Sequence, residues 1–84
     1  MPKFLDYHAK MPKLPPEAMK EVADRVKAGK PDEFGVKPLN VFIGTGGQGY
    51  CLVEAPNVDA VIKSHKAKGF SLERSDVAEV TSLV

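Results

Sequence analysis

Eighty-four residues, 43% of them hydrophobic and 27% charged, make one small domain spanning residues 1–84, with a core thin enough that a second copy or a bound metal is a natural supplement. A formal net charge of +1 is too balanced for a chain that grips duplex DNA, and no apolar run forms a signal peptide or approaches bilayer-spanning length, so neither DNA nor membrane is an expected partner. Cys51 is the single cysteine, which excludes an intrachain disulfide and makes a reducing cytoplasm the expected compartment.

In chain order, Lys3 to His8 mixes Phe4, Leu5 and Tyr7 with Asp6 and His8, which predicts a first strand. Pro12, Pro15 and Pro16 then predict a connecting loop over Lys10 to Pro16. Pro16 suits the first turn of a helix in which Met19, Val22, Ala23 and Val26 are expected to form one buried stripe, and Gly29 ends it. Lys30 to Gly35 is a turn-rich return. Next come two apolar runs, Val41 to Ile43 and Tyr50 to Val53, separated by Gly44, Gly46, Gly47 and Gly49, a pattern that predicts a β-hairpin. Asn57 is the expected N-cap of a second helix, with the stripe Val58, Val61, Ile62 and His65 and a C-terminal cap at Gly69. Phe70 is expected to fold back over that helix end, and Val77 to Val84 to form a last strand.

Strand, helix, strand, strand, helix, strand is the ferredoxin-like βαββαβ order, a four-stranded antiparallel sheet with both helices on one face. Tyr50 and Leu52 on one side of the third strand, and Cys51, Val53 and Ala55 on the other, leave both of its faces apolar. The helices cover one face, so a second copy is expected on the other, making a homodimeric α+β barrel.

Four constellations bear on function. Gly44-Thr45-Gly46-Gly47-Gln48-Gly49 spells G-x-G-x-x-G, but a strand follows it where dinucleotide binding needs a helix N-terminus, so it reads as a hairpin turn. Gln48 to Ala55 is a damaged copy of the RNA-recognition signature. Gly49, Tyr50 and Val53 fit, while Gln48 replaces a cation and Leu52 and Ala55 replace rings that would stack on bases, so RNA is not the expected partner. The split βαβ topology brings His8 beside the start of the third strand at Cys51 and returns His65 to the same end of the sheet. Two imidazoles and a thiol suit nickel, zinc or copper over magnesium or calcium. Asp6 and Glu54 are expected to share an open sheet face with Phe4 and Tyr50, so that Asp6, Tyr50 and Glu54 form a polar pocket. There is no Ser-His-Asp signature, no C-x-x-C and no H-E-x-x-H, and no residue is assigned a catalytic role.

Tyr50-Cys51-Leu52-Val53-Glu54-Ala55-Pro56-Asn57, followed by Ser64-His65-Lys66-Ala67-Lys68-Gly69-Phe70 and Val77-Ala78-Glu79-Val80, resembles a group of small bacterial and archaeal ferredoxin-like proteins, a family of unknown function that includes a nickel-binding member. The resemblance covers the C-terminal half and implies a ferredoxin-like dimer with a transition-metal site, carried by His65 and Cys51. The N-terminal half departs from it, with a shorter helix and a glycine-rich turn. The hairpin Phe42-Ile43-Gly44-Thr45-Gly46-Gly47 is equally similar to stress-responsive and monooxygenase-like dimeric α+β barrels, whose cavities take small organic ligands. The expectation is therefore a cytoplasmic metal-binding protein, nickel-like, using His65, Cys51 and His8. A small-organic-ligand binder or enzyme using Asp6, Tyr50 and Glu54 is the alternative, and an RNA-recognition-like or structural interaction module is third.

Overall fold

The structure, a computed structural model, describes residues 1–10 and 15–83. Most of the proline-rich loop expected over Lys10 to Pro16, and the end of the last strand at Val84, lie outside the described residues. Strand β1 (Lys3–His8) alternates with period two, burying Phe4, Asp6 and His8 on one face. Helix α1 (Pro16–Ala28) begins with proline in its first turn and ends where Gly29 takes φ 63°, its N–H donating to the Arg25 carbonyl. Strands β2 (Lys37–Ile43) and β3 (Gly49–Glu54) form the predicted hairpin, and β2 starts four residues earlier than its apolar run suggested. The glycine-rich segment closes with Gly44 N–H donating to the Gln48 carbonyl at 2.7 Å and runs directly into a strand, which removes the dinucleotide-binding geometry.

Asn57 caps helix α2 (Val58–Ala67), its side chain accepting from the Ala60 amide at 2.9 Å. At the other end Gly69 N–H donates to the Lys66 carbonyl and Phe70 N–H to the His65 carbonyl, a Schellman closure that requires the positive φ of Gly69, 88°. The buried face of α2 is Ala60, Val61 and Ser64, rotated slightly from the expected Val58–Val61–Ile62 stripe, with His65 at its border. A short 3₁₀ turn (Arg74–Asp76) precedes β4 (Val77–Val80), which is shorter than the predicted Val77 to Val84 because it pairs only with Lys3 to Asp6 of β1.

Sheet order β2-β3-β1-β4, antiparallel throughout, is the ferredoxin-like arrangement. The core of Phe4, Val36, Val53, Ala55, Ala60, Val61 and Leu72 lies between α2 and the two central strands. Helix α1 contributes no buried residue to it, so the burial expected of Met19, Val22, Ala23 and Val26 does not occur: Met19 and Ala23 are exposed and Val22 and Val26 half-buried. Its apolar stripe instead overhangs two cavities against β2 and β3, of about 470 and 380 Å³. Among the described residues, no helix is long and apolar enough to cross a membrane.

Candidate metal centre

The β1–β3 register places Asp6 opposite Cys51 and His8 opposite Gly49. Directly paired residues share a sheet face, so Asp6, His8 and Cys51 all point toward the helices. Helix α2 brings His65 onto the same spot. One donor atom from each of Asp6, His8, Cys51 and His65 lies within 4.8 Å of the other three, and this group could hold a metal ion. A tetrahedral site with bonds of about 2.0–2.3 Å sets its ligands roughly 3.3–3.8 Å apart, so the set needs only a small contraction.

The predicted trio His8, Cys51 and His65 is thus brought together, and Asp6 joins it from a different expectation. Asp6 does not share a face with Tyr50 and Glu54. Phe4 and Asp6 are buried under the helices, whereas β3 alternation turns Tyr50 and Glu54 to the open face. There Tyr50 packs on Tyr7 with ring centroids 5.3 Å apart, and Glu54 pairs with Lys37 at 3.9 Å. The polar pocket of Asp6, Tyr50 and Glu54 therefore does not form.

Asp6 is fully buried, and both histidines converge on one of its oxygens: His8 Nε2 lies 2.8 Å and His65 Nε2 3.4 Å from Oδ1. Oδ2 is buried without a hydrogen-bond partner. His65 Nδ1 lies 2.8 Å from the Val61 carbonyl. A carbonyl only accepts, so the proton of neutral His65 sits on Nδ1 and the Nε2 lone pair faces the Asp6 carboxylate. That contact is repulsive until something positive lies between. Burial pushes the His65 pKa down, but the hydrogen bond and charge of Asp6 more than reverse this and hold it above the usual 6.5. Burial likewise pushes the Asp6 carboxyl up, and the hydrogen bonds and charges of His65 and His8 override it, leaving the group below the usual 3.8. Burial and then the Asp6 charge push the Cys51 thiol up to about 12, so without a metal it keeps its proton at neutral pH. A divalent cation would occupy the orphaned oxygen, the lone pair and the thiolate together. Fixing His65 through a backbone carbonyl is the outer support that metal-ligating imidazoles usually have.

Sequence reasoning missed Ser64, Asp32 and Lys68, which brace the helix that carries His65. The Ser64 hydroxyl donates to Asp32 Oδ2, and Lys68 Nζ lies 3.3 Å from Ser64 Oγ and 3.5 Å from Asp32 Oδ2. The other Asp32 oxygen accepts from the Phe34 and Val36 amides at 2.9 and 3.0 Å. The signal for Asp32 was present in Pro31-Asp32-Glu33-Phe34-Gly35, an Asp at the start of a turn.

No protein-family model matches the chain, and no curated protein sequence does. A crystal structure of SCO4226 from Streptomyces coelicolor A3(2) has a similar fold, with TM-score 0.70 and 22% sequence identity over 98% of this chain and 99% of that one. At that identity the likeness establishes the fold alone.

Proposed function

We propose that the chain is a small binding protein for a divalent transition metal of the nickel, copper and zinc group, held by Asp6, His8, Cys51 and His65 at one end of the sheet. The observation that carries this reading is the buried, unpartnered Oδ2 of Asp6 in the midst of two imidazoles and a thiol. A buried carboxylate oxygen left unpaired costs about 1–3 kcal/mol or more, and a cation is the group that all four side chains can satisfy at once. Imidazole and thiolate donors select borderline metals over magnesium and calcium. Nickel stands first because of the family resemblance of the third strand and second helix, and membership of that family is part of the proposal. Bound metal would bring a Lewis-acid cation to this end of the sheet. The chain's own residues orient it, keep bulk water from Asp6 and take up or release the protons that binding displaces.

The test is elemental mass spectrometry on untagged protein together with calorimetric titration of nickel(II). The expected result is about one metal per chain, with affinity reduced about 100-fold or more in each of Cys51→Ala and His65→Ala. Unchanged affinity in both variants would sink the site.

A further inference from the structure

We propose that the 470 Å³ cavity beside the metal centre takes a small, uncharged, largely apolar molecule that reaches the bound metal through a single nitrogen or sulfur donor. This inference rests on the metal reading above and adds the ligand class. Three of the four residues proposed to hold the metal, His8, Cys51 and His65, line the cavity, while Asp6 lies fully buried and does not. The four residues come from the β1, β3 and α2 side, so a further ligand to a metal held by them would approach from the cavity. Nickel, copper and cobalt accept such additional ligands.

The rest of the cavity specifies what can fill it. Val22, Val36, Val41 and Val53 make its body, and Phe70 stands against the His8 ring in an inclined pair, centroids 5.8 Å and planes 60° apart. Its volume is that of a site for a small organic molecule. The charged residues on its wall are neutralised in pairs, Arg25 by Glu21 at 3.0 Å and Lys68 by Asp32 at 3.5 Å. At the centre, one carboxylate and one thiolate balance a divalent cation. An anionic or cationic guest would be uncompensated, so the guest is neutral. Helix α1 presents Val22 here without burying any residue in the core, so an apolar guest would add contacts to a side chain that the fold itself packs only in part.

The experiment loads the full chain with cobalt(II), whose visible d–d bands report its ligands, and titrates 4-phenylimidazole and, separately, imidazole. The expected result is a shift of the d–d bands by both, with 4-phenylimidazole at least about 10-fold tighter because its ring is buried among the valines. Val22→Trp, which fills the cavity from the α1 side, should abolish that preference while leaving cobalt affinity and the imidazole response in place. If cobalt binds with a thiolate charge-transfer band but neither azole moves the d–d bands, the ligand inference is overturned and the metal site stands. Equal affinities for the two azoles also overturn it, as does equal binding of 4-phenylimidazole by the metal-free protein. If the protein takes up neither cobalt nor nickel, both readings are overturned; if it takes up nickel alone, the nickel(II) d–d bands become the readout and the same outcomes apply.

Discussion

At the scale of single residues, Asp6 and His65 stabilise each other's charged forms, while burial and the Asp6 charge keep the Cys51 thiol protonated. The Asp6 carboxyl is depressed, so its contribution to stability is present above the usual pKa of 3.8 and is lost as pH falls through its lower folded value. His65 is raised, so its contribution is complete below 6.5 and is lost as pH rises through its higher folded value. The metal-free protein is therefore expected to melt at its highest temperature between about pH 4 and 6.5, in a thermal series read by circular dichroism. Nickel binding must displace the protons of His65 and Cys51, so the increment in melting temperature from added nickel should grow from pH 6 to pH 8. An increment that shrank over that range would contradict the assignment of these two ligands.

At the scale of elements, α2 is held at both caps and through its middle, where Ser64 is tied to the loop at Asp32. Burial pushes the Asp32 carboxyl up, but the Ser64 hydroxyl, the Val36 and Phe34 amides and the Lys68 charge together bring it below the usual 3.8. Asp32→Ala is expected to destabilise the fold by about 1–3 kcal/mol in urea denaturation at pH 7 and to weaken nickel binding about 10-fold, because α2 positions His65. A variant with wild-type midpoint would remove this brace from the account. The caps of α2, the hairpin and the bounds of β1 were legible in the sequence because each depends on a few adjacent residues, such as Asn57, Gly69 or the run at Val41. The face of Asp6 was not. Strand alternation puts Phe4, Asp6 and His8 together, yet only the pairing of Asp6 with Cys51 across β1 and β3 tells which residues of the other strand accompany them. The spacing of the α1 stripe was readable but its burial was not: Met19 and Ala23 are exposed and Val22 and Val26 only half-buried, because the stripe faces cavities against the sheet and not the core.

At the scale of the whole molecule, the sheet face away from the helices carries Tyr7 and Phe42, 42% and 49% exposed, beside the half-buried Leu5, Tyr50 and Leu52. A contiguous apolar face on a domain this small favours the homodimer expected from β3, with sheet against sheet. Light scattering is expected to give twice the chain mass, and Leu52→Lys to give the monomer mass with nickel binding retained. A wild-type monomer at all accessible concentrations would leave the ring pair Tyr7–Tyr50 as a solvent-exposed contact. The four candidate donors lie far apart along the chain, two on β1, one on β3 and one on α2, and they meet only when the central strands are paired and α2 is docked. A centre that needs all three elements in place is expected to be complete only after the transition state, where an ion that needs all four donors would find little to grip. Its effect should fall on the rate of unfolding: in stopped-flow chevrons, saturating nickel is expected to lower the unfolding limb and leave the refolding limb where it was. Metal would then act as a kinetic latch on a fold whose own core is small.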